Sequence, residues 1–147
     1  MKQPVLPWIE FMNIFAMSED VKPSEKVLNS ASFGQVDALV RALDEGGDPN
    51  YVRLDIAPTL IATMRDYVPC LEVLLQRGAR GDIPNRVGWT ALHEAAQKES
   101  PECLTLLLAA PQQTSFTQRD KEGLTALRAA MEANRLENAN LLLQDVP

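Results

Sequence analysis

The sequence contains little of the side-chain chemistry from which catalytic and metal sites are built. Its 147 residues include one histidine, His93, and two cysteines, Cys70 and Cys103. Nucleophilic triads need a histidine base, and structural zinc sites need several cysteine and histidine ligands. We therefore expect a protein that is not an enzyme and that holds no metal and no cofactor.

Positive charge and long apolar runs are also scarce. The formal net charge is −6, whereas nucleic-acid binding requires a surplus of lysine and arginine. No apolar run is long enough to cross a bilayer, and Pro4, Pro7, Glu10 and Asn13 interrupt the pattern of a secretory signal. We expect a cytoplasmic protein that binds neither nucleic acid nor membranes.

The two cysteines lie in matching segments, which begin at residues 68 and 101 and end in leucines. Equivalent positions on stacked helices are roughly 8–10 Å apart, which is too far for a disulfide. We expect Cys70 and Cys103 to be buried thiols in a reducing compartment.

An internal repeat is the most informative feature that is present. Segments 88–96 (GWTALHEAA) and 123–130 (GLTALRAA) begin 35 residues apart, and each is followed by three consecutive leucines. A period of this length is typical of solenoids, in which each unit buries its apolar face against its neighbours. The pattern at 88–96 resembles the ankyrin repeat, with Ala91 at the position where that family usually has proline and His93 at its structural histidine.

This resemblance implies an all-α ankyrin-repeat solenoid of about four helix-turn-helix repeats with an extra N-terminal helix. The repeats are predicted at about 24–50, 51–82, 83–113 and 114–147, within a domain of residues 23–147. The second repeat is degenerate because it lacks the opening glycine and the histidine. Thr90 is expected to cap its helix. Asn138 stands where the inner repeats have cysteine, and we expect it to face water on the outer side of a terminal repeat.

Residues 1–22 precede the repeats and form a separate segment. Trp8, Phe11 and Phe15 recur there at helical spacing behind Pro7. Three interpretations of this helix are open, because it can cap repeat one, dock on a partner or associate with a membrane. The acidic residues of the segment oppose the last of these.

The resemblance also implies a partner-binding surface, formed by the hairpin tips and the exposed face of each first helix along a concave groove. The candidate partner-binding residues are Arg53, Leu54, Asp55, Arg86, Val87, Trp89, Gln97, Lys98, Lys121, Glu122, Leu124 and Glu132. Trp89 is either an anchor for a partner or an aromatic that folds over the neighbouring hairpin. Arg53, Arg86 and Lys121 are either a basic row that meets an acidic partner or solubilising charge.

Ankyrin proteins are binding scaffolds, so we expect a protein–protein interaction module. The first specific hypothesis is a stoichiometric inhibitor or immunity protein of a basic toxin or enzyme, as the resemblance to small free-standing ankyrin proteins of bacteria implies. Residues 1–50 carry −4 of the net charge, which would attract a basic target. The alternative is a scaffold or adaptor that holds two partners. An unrecognised enzyme would be distinguished by a titratable cluster in a closed pocket. We expect a monomer.

Overall fold

The described part of the protein is built from helices arranged in successive pairs. The computed structural model describes residues 21–110 and 118–144. Its helices there are α1 Pro23–Ser32, α2 Val36–Asp44, α3 Pro58–Met64, α4 Val68–Gln76, α5 Ala91–Gln97, α6 Glu102–Ala109, α7 Ala126–Glu132 and α8 Leu136–Gln144. The all-α repeat fold is thus confirmed. The N-terminal helix expected before residue 21 and the connection at 111–117 lie outside the described residues.

The helix pairs stack into two layers. The first helices contact one another in the order α1, α3, α5 and α7, and the second helices α2, α4 and α6 do the same. Small residues stand where the first helices approach, as at Ala62 and Ala95, which are completely buried. Leucines of the second helices, such as Leu74 and Leu107, are completely buried between repeats. The core therefore runs through all four repeats, and none of them has a core of its own.

The start of α5 shows why the repeat motif needs threonine and histidine three residues apart. The Thr90 hydroxyl accepts the backbone N–H of His93 at 3.3 Å, and His93 Nδ1 accepts the backbone N–H of Thr90 at 3.3 Å. This reciprocal arrangement satisfies two backbone donors that the first helical turn leaves unpaired. The expected capping role of Thr90 is confirmed.

The same histidine joins two repeats. His93 Nε2 lies 2.9 Å from the carbonyl oxygen of Leu124 in the next hairpin, and the ring is almost completely buried. A carbonyl only accepts, so Nε2 carries the proton. Nδ1 is then a bare acceptor, which agrees with its 2.8 Å contact to the Thr90 hydroxyl. His93 is thus a neutral structural residue that holds repeat four onto repeat three.

The expectation that Asn138 faces water is wrong. Asn138 is 1% exposed, and the two N–H groups of its Nδ2 are shared among the carbonyl oxygens of Ala95, Ala96 and Lys98, at 3.4, 3.0 and 2.8 Å. These carbonyls belong to the C-terminal end of α5, where a helix lacks internal donors. Asn138 therefore points inward and caps the first helix of the preceding repeat.

Both cysteines are buried free thiols, as the sequence predicts. Burial raises the pKa of Cys70 to about 11. Burial, and then a hydrogen bond to Asp66, raise the pKa of Cys103 to about 12, and its Sγ lies 3.5 Å from Asp66 Oδ1. The fold therefore favours the neutral form of both thiols.

Replacing Asn138 with alanine should destabilise the protein by about 2 kcal/mol, because buried carbonyls of α5 lose their donor. Urea unfolding monitored by circular dichroism measures this change. Asn140→Ala is the matched control, since Asn140 is on the same helix and exposed, and we expect it to stay within about 0.5 kcal/mol of the parent. Equal midpoints for the two variants would contradict the capping role.

The two thiols should react slowly in the folded protein. A pKa raised to about 11 or 12 leaves almost no thiolate at pH 8, and the thiolate is the reactive form. We expect labelling by a disulfide reagent at pH 8 to be at least about tenfold slower in buffer than in guanidinium chloride. Cys70→Ser and Cys103→Ser variants assign the rate to each thiol, and fast labelling of either in buffer would show that its site opens.

Candidate partner-binding surface

Two of the hairpins between repeats share one geometry, in which a polar residue holds the turn together. In the hairpin before α5, the side-chain oxygen of Asn85 accepts the backbone N–H groups of Val87 and Trp89 at 3.1 and 2.9 Å. In the hairpin before α7, Asp120 does the same with Glu122 and Leu124, at 2.9 and 2.7 Å. Side chains of this type fix such turns locally, so the tips are rigid without help from the core.

The hairpin before α3 is one residue shorter and has a different turn. Arg53 and Ile56 exchange backbone hydrogen bonds of 3.2 and 3.0 Å, so only Leu54 and Asp55 lie between them. Both have positive φ, 52° and 64°, which is the conformation of a type I′ turn. Asparagine and glycine usually occupy such turns, so a leucine there is strained.

This shorter hairpin changes the alignment of the tip residues. By hydrogen bonding, Arg53 is equivalent to Asn85 and Asp120, which close their turns, and is not equivalent to Arg86 or Lys121. Arg53 therefore does not occupy the position in its turn that Arg86 and Lys121 occupy in theirs, and the basic row stays a prediction. Besides lacking the opening glycine and the histidine, repeat two therefore has a turn that is one residue shorter, and no glycine in that turn marks the position of the deletion.

Neighbouring tips are joined along one edge of the molecule. Arg86 Nε donates to Asp55 Oδ2 at 2.7 Å, and the backbone N–H of Lys121 donates to the carbonyl oxygen of Val87 at 2.9 Å. The Arg86 and Asp55 side chains are 77% and 44% exposed, so their ion pair adds little stability. Its effect is to align the tip of the hairpin before α3 with the tip of the hairpin before α5.

Trp89 makes local contacts while remaining half-exposed. Its ring centroid lies 5.0 Å from that of His93, and Nε1 donates to Glu94 Oε2 at 3.0 Å. The equivalent residues Ile56 and Leu124 are also half-buried. An apolar residue at this position therefore covers the base of every hairpin, which is the packing interpretation of Trp89, and the exposed part of the indole remains on the candidate surface.

The candidate residues on the first helices are largely occupied by internal contacts. Lys98 Nζ donates to the carbonyl oxygen of Met64 at 2.8 Å and so ties α5 to the end of α3. The carbonyl oxygen of Gln97 accepts Arg135 Nε at 2.9 Å. Glu132 pairs with Arg128 at 3.2 Å. Among these candidates, the Lys98 side chain and the Gln97 carbonyl make contacts between repeats, whereas the pair of Glu132 with Arg128 lies within α7.

The tips expose apolar side chains that have no role in this network. Leu54 is 81% exposed, Val87 50% and Val52 42%. In the described part of the chain, Lys121 has no carboxylate within ion-pair distance, and Glu122 beside it is exposed. We call Val52, Leu54, Arg86, Val87 and Lys121 the tip surface. Val52 was missed by sequence reasoning because its exposure depends on the length of the turn.

Besides the hairpin tips, depressions in the surface of the described residues are candidate binding sites. One of about 400 Å³ lies on α7, and one of about 210 Å³ lies between α4 and α6. Among residues 21–110 and 118–144, no three His, Cys, Asp or Glu side chains are grouped as a metal site requires. The helices of this part are also too short or too polar to cross a bilayer.

Known proteins share this repeat. A family model described as ankyrin repeats, in three copies, matches residues 27–116 and 60–146. B-cell lymphoma 3 protein of Homo sapiens is 34% identical over 113 residues, which are 74% of this chain and 25% of that protein. SH3 and multiple ankyrin repeat domains protein 1 of Homo sapiens is 36% identical over 106 residues, 70% of this chain and 5% of that protein. The chain therefore spans a quarter or less of the length of these relatives.

The contact between the hairpin before α5 and the hairpin before α7 can be tested with two glycines that share one backbone conformation. Gly88 and Gly123 both have φ of +80°, but a Cβ at Gly88 would lie 2.8 Å from the Asp120 Cα, whereas one at Gly123 would meet nothing within 4 Å. Gly123→Ala should cost about 1 kcal/mol for the positive φ alone. Gly88→Ala should cost at least about 1 kcal/mol more, since backbone must move. Equal costs in urea unfolding would show that the tips are not in contact in solution.

Proposed function

Because this chain belongs to the ankyrin-repeat family, whose repeats generally mediate protein–protein interaction, we propose that it binds one partner protein through the tip surface and the adjoining groove. The observation that carries this proposal is Leu54, a strained leucine that is 81% exposed. Strained residues that packing does not require are concentrated at functional sites. The partner would hold the leucine in an apolar pocket.

Leu54 destabilises the free fold and would stabilise a complex with a partner. A non-glycine residue at this backbone angle costs about 1–2 kcal/mol, and the side chain returns nothing to the fold because it faces solvent. Burying it in a partner would contribute about 1.5–3 kcal/mol. Val87, which is half-exposed on the adjacent tip, enlarges the apolar contact, and the rigid turns limit the entropy lost on binding.

The distribution of charge supports a stoichiometric inhibitor or immunity protein as the specific form of this function. Asp37 and Asp48 are exposed carboxylates at the α1–α2 end, whereas Asp44 and Glu45 pair with Arg77 and Lys26. Residues 21–50 contain five acids and three bases, and this acidic excess would attract a basic enzyme or toxin. The tip surface would then cover the target's active site. Two buried free thiols suit a reducing compartment, so we place this function in the cytoplasm.

The alternative, a scaffold or adaptor, is favoured by one specific observation. Exposed apolar residues occur in a second place, at Met131 and Leu143 of repeat four, which are 62% and 57% exposed. A chain with two separate apolar surfaces has the means to hold two molecules at once.

Leu54→Gly separates binding from folding. Glycine relieves the strain at φ 52°, so the variant should be as stable as the parent or more stable by up to about 1 kcal/mol. It should lose at least about tenfold in affinity for the partner. Leu136→Ala is the control, because Leu136 is 68% exposed but begins α8, away from the tips.

The measurement is retention of a partner from a lysate of the source cells on immobilised parent, Leu54→Gly and Leu136→Ala proteins, followed by titration calorimetry with the purified partner. A partner kept by the parent and the control and lost by Leu54→Gly supports the proposal. One-to-one binding with loss of the partner's activity identifies an inhibitor, and a ternary complex identifies an adaptor. Undiminished binding by Leu54→Gly would refute the role of the tip surface.

A further inference from the structure

The fourth repeat leaves uncovered the positions that the inner repeats bury. Segments 90–96 (TALHEAA) and 125–131 (TALRAAM) are equivalent. His93 is 1% exposed and Ala96 is 0% exposed, because repeat four covers them. Their equivalents are Arg128, whose side chain is 71% exposed, and Met131, which is 62% exposed. Among the described residues, the repeat-four positions equivalent to these two buried residues are therefore exposed.

The second helix of the repeat shows the same change. Leu75 on α4 is 8% exposed, whereas its equivalent Leu143 on α8 is 57% exposed. We call Leu127, Arg128, Met131, Glu132 and Leu143 the end face. The depression of about 400 Å³ on α7 lies within it and is lined by Thr125, Leu127, Arg128, Met131 and Glu132.

Charge on the end face is balanced. Arg128 Nε lies 3.2 Å from Glu132 Oε1, and the two side chains are 71% and 57% exposed. An ion pair this exposed contributes little to the stability of one chain, so each partner is available for another contact. The chain as a whole carries −6, and two copies would repel each other over most of their surfaces. The end face offers an approach without local repulsion.

We propose that the end face binds a second copy of this chain in a two-fold symmetric dimer with the α7 helices antiparallel. In an isologous contact both copies use the same surface, so that if residue i of one copy contacts residue j of the other, residue j also contacts residue i. The axis would pass between residues 128 and 132, so Arg128 of each copy would pair with Glu132 of the other. Met131 of each copy would enter the depression of the other. This inference does not rest on the proposed function, and it is an alternative to the expectation of a monomer.

A charge swap tests this geometry directly. Sedimentation equilibrium over a series of concentrations should show a dimer for the parent. Arg128→Glu places four carboxylates around the axis and Glu132→Arg places four guanidinium groups there, so each should weaken the dimer at least about tenfold. The double variant restores opposite charges and should recover parental affinity. A mixture of the two single variants should form a heterodimer.

Each remaining outcome counts against the proposal. A parent that stays monomeric at every concentration overturns it and leaves the end face to another protein or to further repeats. A dimer that all the charge variants retain forms through a different surface. Both substituted residues are exposed, so the variants should melt with the parent, and Met131→Glu provides a further variant that should also give a monomer if the apolar contact exists.

Discussion

The fold depends on how the unpaired ends of very short helices are satisfied. Helices α3, α5 and α7 have seven residues each, so about half of their backbone groups belong to the four N–H and four C=O groups that a helix leaves without internal partners. The following repeat supplies the missing donors. Lys98 donates to the end of α3, and Asn138 and Arg135 donate to the end of α5. Stability is therefore a property of neighbouring repeats, as burial of the leucines between them also requires.

The same constraint separates framework residues from residues that are free for recognition. Histidine, asparagine and lysine side chains within the stack are committed to backbone groups, and so are the turn residues Asn85 and Asp120. Where the first hairpin lost a residue, no such turn residue remains, and Leu54 takes a strained conformation with its side chain in solvent. The Leu54 side chain therefore contributes little to folding and is available for a contact outside the fold.

The helices and the role of His93 could be predicted from the sequence, because a capping box is a local pattern with fixed spacing. The inward position of Asn138 could not be predicted, because its place on α8 does not reveal that unpaired carbonyl groups at the end of α5 lie beside it. The alignment of Arg53 with Arg86 failed for another reason. A one-residue deletion in a turn is normally marked by glycine, and here the turn contains leucine and aspartate. Lys98 lies one position past the end of α5, and its contact with the preceding repeat depends on stacking, which sequence spacing does not specify.

A solenoid that meets a second copy at its end face would also connect the two proposed functions. Leu54 and Val87 belong to the second and third repeats, whereas Arg128 and Met131 belong to the fourth, so pairing through the fourth repeat uses none of the apolar tip residues. Such a dimer would carry two tip surfaces at a fixed separation. Two linked sites would bind a partner that is itself multivalent with a large gain in avidity. Under the proposed function, each site would still inhibit a monomeric partner independently. The choice between inhibitor and adaptor then depends on the valency of the partner rather than on a second type of binding site in this chain.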